Sequence, residues 1–221
     1  MSELQINDDQ QRLSRRNLFR TAGMAAGAAL AGSMLMTSSD ADTMAGHMAT
    51  DSPTMSDTAN DLAILNYALT LEYLETDFYT RVVAANDANP YLDARQSMAA
   101  HKLREDEAAH VATITQVITS MGGTPVASPK FTFPREAFDS PIGFLLFAAT
   151  LEVTGTSAYL GQAPRVRSKD VLKGAASIYG IEARHTGLIR FMLGEVFAPH
   201  DVETPLSMDE VLARVQPYIV T

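Results

Sequence analysis

Four long stretches of the chain repeat apolar residues every three to four positions, the period of a helix with one face in a core. The first is expected over residues 61–85, with Asn60 or Thr58 as cap and the run from Asn86 to Pro90 as stop. The second is expected over 91–121, ending at Gly122-Gly123, where glycine can take the left-handed closing conformation. The third starts at Ser140-Pro141, a hydroxyl cap followed by a first-turn proline, and runs to about 160. The fourth covers about 169–193 and stops near Gly194. A short fifth helix, 207–215, carries Ser207 with Glu210 three residues on, a capping box. The links after the first and third helices are short, about five and about eight residues, and suit antiparallel neighbours. The middle link is about eighteen residues and holds Pro125, Pro129 and Pro134. The expected fold is all-α: a four-helix bundle with one long crossover and a short C-terminal helix.

The two halves repeat each other. At an offset of 80, Leu71-Glu72 matches Leu151-Glu152, Thr76 matches Thr156 and Tyr79 matches Tyr159. At an offset of 75, Glu107-Ala108 matches Glu182-Ala183 and His110 matches His185. Two helical hairpins related by a pseudo-two-fold axis are implied, and a site on the axis has two similar halves.

Glu and His three residues apart share one helix face, so Glu107 with His110 and Glu182 with His185 each aim a carboxylate and an imidazole at one point. Glu72 and Glu152 interrupt otherwise apolar stripes. A carboxylate there is expected in the core, and a buried charge must be paired or bound to metal. No set of core Lys or Arg is present to pair with them. Two divalent ions balance four carboxylates, which favours a metal pair on Glu72, Glu107, His110, Glu152, Glu182 and His185. Glu75 also lies near an apolar face, but its repeat partner is Gly155, so Glu72 is selected. Glu105 and Asp106 are read as solvated. Tyr79 and Tyr159 are read as core tyrosines with satisfied hydroxyls, with hydrogen bonding to the ligands as the alternative. His47, His101 and His200 fit no motif and are expected at the surface.

This ligand pattern resembles that of the ferritin-like di-iron and di-manganese carboxylate proteins over about residues 60–195. It is most similar to the secreted bacterial ferritin-like domain proteins, and similar to plant desiccation-related proteins. The resemblance implies Glu72 and Glu152 as terminal ligands, Glu107 and Glu182 as bridging or chelating ligands, and one imidazole per ion. Imidazole with carboxylate suits iron, manganese and zinc alike, and the resemblance implies two ions, iron first and manganese second. O₂ or peroxide is the implied reactant, with iron oxidation or peroxide removal as the chemistry. A non-catalytic metal-binding or structural stress protein is the alternative reading.

The N-terminal region has a different build. Ser14-Arg15-Arg16-Asn17-Leu18-Phe19-Arg20 precedes an uncharged, small-residue apolar stretch from Thr21 to about Met36. Residues 1–36 resemble a twin-arginine export signal, which implies contact with export machinery and a periplasmic or extracellular destination. An uncleaved stretch would anchor the chain to the membrane. Residues 37–60, rich in Ser, Thr, Asp, Ala and Met, read as a flexible linker rather than a soft-metal trap, and 61–221 as the domain. The chain has no Cys, which excludes disulfides and thiolate ligands. Its formal charge of −9, without a basic cluster in the domain, argues against nucleic acid as a partner. A homo-oligomer is compatible with this reading.

Overall fold

The computed structural model describes residues 55–220. The expected signal and most of the expected linker lie outside the described residues. Among the described residues there are five α-helices: α1 (Met55–Ala88), α2 (Ala94–Ser120), α3 (Pro141–Gln162), α4 (Lys169–Met192) and α5 (Met208–Val215). Two short strands, β1 (Lys130–Phe131) and β2 (Ile219–Val220), pair antiparallel. The all-α bundle is as expected, and the small ladder is an addition to it.

The helix ends follow local chemistry. Ser140 accepts from the Gly143 amide with Pro141 in the first turn, and Ser207 with Glu210 forms the expected capping box. The start of α1 differs from expectation. It begins at Met55, so Thr58 and Asn60 lie inside the helix rather than capping it. The Asn60 side chain instead donates to the Arg165 carbonyl at 2.8 Å, and the buried Asp61 carboxylate accepts from the Arg167 and Ser168 amides. α1 is thereby tied to the start of α4. The start of α2 also differs: Asn86 accepts from the amides of Tyr91 and Leu92, which holds them out of the helix, and Asp93 with Gln96 caps it. Gly122 (φ 77°) and Gly194 (φ 78°) close α2 and α4 in the left-handed conformation.

α1 packs most extensively on α2, and α3 on α4, with α1 against α3 and α2 against α4 completing the bundle. Two apolar clusters fill it. One holds Leu65, Leu69, Ile114, Ile118, Val171 and Ile178. The larger one includes Leu74, Phe78, Leu103, Phe144, Leu151 and Ile189. Along α1 and α4 the chain passes from the smaller cluster to the larger. Along α2 and α3 it passes from the larger to the smaller. Consecutive helices α2 and α3 therefore run the same way, which requires a crossover spanning the bundle's length. That crossover is packed. Phe131 and Ala137 are buried in the larger cluster, and the Phe133 ring lies 5.5 Å from Phe78. Phe147 meets Phe78 at 5.0 Å on one side and Tyr218 at 4.9 Å on another, so the C-terminal segment closes the same end.

Backbone approaches are close at two glycines. A Cβ at Gly161 would lie 1.8 Å from the Leu206 carbonyl oxygen, and one at Gly143 would lie 2.2 Å from the Glu136 carbonyl oxygen. The first contact seats the chain entering α5, where the Leu206 amide donates to the Ser157 carbonyl. Gly161→Ala is expected to lower stability by about 2 kcal/mol, because the methyl meets backbone rather than a movable side chain. Gly180→Ala, in α4 with nothing near the new methyl, is expected to raise it by about 0.5–1 kcal/mol. Chemical denaturation of both variants checks the contrast.

Candidate metal centre

Each of the four long helices brings acid to one level between the two apolar clusters. Glu72 on α1, Glu107 on α2, Glu152 on α3 and Glu182 on α4 are completely buried. His110 and His185 are 8% and 5% exposed, so they too belong to the interior. The i,i+3 pairs meet as the helix period requires: His110 Nδ1 lies 2.9 Å from Glu107 Oε2, 3.2 Å from Glu72 Oε2 and 3.1 Å from Glu182 Oε1. His185 Nδ1 lies 2.9 Å from Glu107 Oε1 and 3.5 Å from Glu152 Oε2. All six expected residues are therefore brought together.

They fall into overlapping groups, within each of which one ligand atom per residue lies within 4.8 Å of the others. One group is Glu72, Glu107, His110 and Glu182. A second is Glu107, Glu152 and His185. A third is Glu75, Glu152 and Glu182. Glu107 is common to the two histidine groups, and Glu182 links the first to the third. This sharing gives two adjacent positions, each with its own imidazole and its own lone glutamate.

The third group corrects the reading of Glu75. That residue is only 3% exposed and belongs to the site. Gly155, which argued against Glu75 through the repeat, is what makes room for it. A Cβ at Gly155 would lie 3.0 Å from Glu75 Oε1 and 3.1 Å from Glu182 Oε2. The missing side chain on α3 and the extra carboxylate on α1 occupy complementary space. The available signal was a glycine in mid-helix facing a glutamate on the partner helix.

Asp106 is the second correction. It is partly buried, and its Oδ2 lies 3.1 Å from His185 Nε2 while Lys102 pairs with its other oxygen. A carboxylate on the outer nitrogen fixes the ring so that Nδ1 faces the cluster. The repeat stops at this point, because the equivalent position before Glu182 is Ile181. Glu105 is exposed as expected, His200 is exposed, and His101 is half-buried rather than at the surface. None of these three belongs to a metal-sized group among the described residues.

The tyrosines reach across the two halves, as the alternative reading had it. Tyr79 on α1 donates to Glu152 Oε1 on α3, and Tyr159 on α3 donates to Glu72 Oε1 on α1. Each hydroxyl leaves the other oxygen of its glutamate turned to the imidazole. Burial pushes both phenols well above their usual range, and the neighbouring carboxylates add to it, so both stay protonated donors.

The same burial sets the protonation of the cluster. Burial pushes Glu72 up to about 7 and raises Glu75 and Glu182 well above the usual carboxylate range, while Glu152 is also raised. Burial opposes charge on Glu107 too, but hydrogen bonds to both imidazoles hold it down at about 2. Burial likewise disfavours imidazolium, yet the surrounding carboxylates lift His110 to about 12 and His185 to about 11. In the absence of metal, protons thus play the part of countercharge.

Protons do not satisfy every atom. Glu72 Oε2, Glu107 Oε1, Glu152 Oε2, both Glu182 oxygens and His185 Nδ1 are buried without a properly directed hydrogen bond. Several are in close contact all the same: Glu107 Oε1 and His185 Nδ1 are 2.9 Å apart. Buried polar atoms left without a directed hydrogen bond are free to act as ligands to an ion. With oxygen and imidazole donors, two adjoining positions and buried lone pairs, the site fits a pair of metal ions.

Comparison with known proteins agrees on the domain. The ferritin-like domain family matches residues 60–195, the span that contains all of these residues. No curated protein matches the chain.

Two outcomes are expected. Metal uptake displaces protons, chiefly from the two imidazoliums and the raised carboxylates, so apparent affinity falls as pH falls. Titration in weak buffer with a pH indicator is expected to release about two or more protons per ion pair at neutral pH. Uptake without proton release would contradict this account. Asp106→Ala is expected to weaken one of the two positions by about 10–100-fold and spare the other, read from two-step metal titration.

Proposed function

The chain belongs to the ferritin-like domain family, and on that premise we propose that it holds two metal ions, iron first and manganese second, and turns over O₂ or peroxide outside the cytoplasm. The observation that carries this reading is the sharing of Glu107 and Glu182 between neighbouring ligand groups. Glu72 and His110 complete one position, and Glu152 and His185 the other.

A pair of iron or manganese ions supplies two-electron chemistry through coupled one-electron changes at each ion. The chain's own residues manage charge and protons around it. Glu72, Glu107, Glu152 and Glu182 offset two divalent ions. Glu75 adds a fifth carboxylate, so the buried site carries one more negative charge than two divalent ions cancel whenever Glu75 is ionised. Burial keeps Glu75 protonated until the positive charge beside it increases. With a metal pair bound, Glu75 would be the carboxylate placed to give up or take back a proton beside it. The apolar clusters above and below exclude bulk water, and the crossed tyrosines keep Glu152 and Glu72 in place.

Residues 1–36 support export through the twin-arginine route, with residues 37–54 as tether. Redox metal outside the cytoplasm suits iron oxidation or peroxide removal. A protein exported folded can take up its metal before it leaves. The export machinery, the metal ions and O₂ or peroxide are the proposed partners.

Elemental analysis of protein recovered after export, followed by O₂ and peroxide consumption assays, tests the reading. The expected result is close to two Fe or Mn per chain, lost in Glu107→Ala/Glu182→Ala, with turnover lost alongside. Glu75→Gln is expected to keep the metal and slow turnover, on the order of tenfold or more for a proton-transfer group. Two ions with no turnover would sink the catalytic part and leave metal binding or a structural stress role. No stoichiometric metal would sink the catalytic and the metal-binding readings and leave the structural one.

A further inference from the structure

On one side of the carboxylate layer, where α3 ends and α4 begins, the four helices enclose a cavity. Its cavity volume is about 70 Å³, and it is partly open to solvent. Ile64, Leu65, Leu71, Ile114, Val171 and Ile178 give it apolar walls. Two buried polar side chains with an unpaired atom stand among them. Tyr67 is 9% exposed and Gln162 4% exposed, and Tyr67 Oη and Gln162 Oε1 are buried with no hydrogen-bond partner. Outside the carboxylate site, three buried side-chain atoms lack a partner among the described residues, and these are two of the three. Buried polar atoms are costly to leave unpaired, so two in one apolar chamber point to something that pairs with them.

The repeat sharpens the point. The counterparts of Tyr67 and Gln162 in the other half are Phe147 and Val82. That other end of the bundle is packed solid with aromatic rings. The polar pair and the cavity thus occur together, at one end only, where the pseudo-symmetry of the helices does not require either.

We infer that this cavity is a binding site for a small neutral molecule with an apolar body and one hydroxyl. The hydroxyl donates to Gln162 Oε1 and accepts from Tyr67 Oη. Burial raises the Tyr67 phenol above its usual range, so it keeps its proton and stays a donor. Apolar walls disfavour sugars and other many-hydroxyl compounds, and the exposed Asp170 at the rim disfavours an anionic head. Tyr159 forms part of the wall and donates through its hydroxyl to Glu72, so the occupant lies one ring away from the carboxylate site. The inference rests on the lining and the unpaired atoms, and holds whichever metal the site takes.

The test is calorimetric titration of the full chain with p-cresol, toluene and p-toluate. These share a body and differ only in a neutral hydroxyl, no polar group or an anionic head. p-Cresol is expected to bind about fivefold tighter than toluene, and p-toluate weakest of the three. In Tyr67→Phe/Gln162→Leu, p-cresol is expected to weaken by roughly five- to tenfold, to the level of toluene, with toluene itself unchanged. Retained toluene binding reports that the variant chamber is intact. The proposal is overturned by no saturable p-cresol binding to the unaltered chain, by equal affinity for p-cresol and toluene, by p-toluate binding best, or by an unchanged p-cresol affinity in the double variant. The comparison of the three compounds on the unaltered chain decides the matter even if the variant does not fold.

Discussion

Five carboxylates buried at one level of a helical bundle dominate the physics of this protein. Each on its own would be far too costly to hold as an ion in an apolar interior. Glu72, Glu75, Glu107, Glu152 and Glu182 are held there together, with His110 and His185 as the adjacent groups able to take positive charge. Their mutual repulsion is relieved by protons or by metal ions. Either way the countercharge and the fold stabilise each other. The two apolar clusters on either side keep the layer dry, which makes the repulsion severe and the attraction to a cation correspondingly large.

The site is two-fold in plan and uneven in detail. The crossed bonds of Tyr79 to Glu152 and of Tyr159 to Glu72 obey the repeat, as do the two Glu-x-x-His pairs. Three features break it. Asp106 orients His185, where Ile181 stands before Glu182. Glu75 adds an acid, where Gly155 has no side chain. Tyr67 and Gln162 place two unpaired polar atoms in an apolar chamber, where the other end has Phe147 and Val82. All three act on one half or one end only. A symmetric pair of positions is thereby given unequal surroundings, which would make the affinity of ions held there unequal.

Much of the fold was legible because helix-forming information is local. Periodicity, Ser140-Pro141, Gly122 and the Ser207–Glu210 box each act within a few residues of where they stand. Expectation and structure part where a distant residue intervenes. α1 extends back to Met55, past Asn60 and Thr58, because those side chains are not needed as caps and Asn60 and Asp61 engage the turn before α4. α2 starts late because Asn86, from the end of α1, takes the amides of Tyr91 and Leu92. The β1–β2 ladder joins residues ninety positions apart, and two-residue strands carry no periodic signal of their own.

The sequence by itself determined four helices, their internal duplication, the six residues of the Glu and Glu-x-x-His pattern, and the excess of acid over buried base. These follow from spacing along one helix, where 3.6 residues per turn decides what shares a face. The tertiary structure decided which acids share the interior and which meet solvent. The repeat argues against Glu75 because its partner is a glycine, yet that glycine on α3 clears the space that Glu75 occupies. Asp106 does not stand three residues before a histidine on its own helix, yet His185 comes to it from α4. The chamber with Tyr67 and Gln162 exists only between four helices. Contacts of this kind depend on the distance between helix axes and on the volume left by side chains opposite, and neither quantity is written in the period of any single helix.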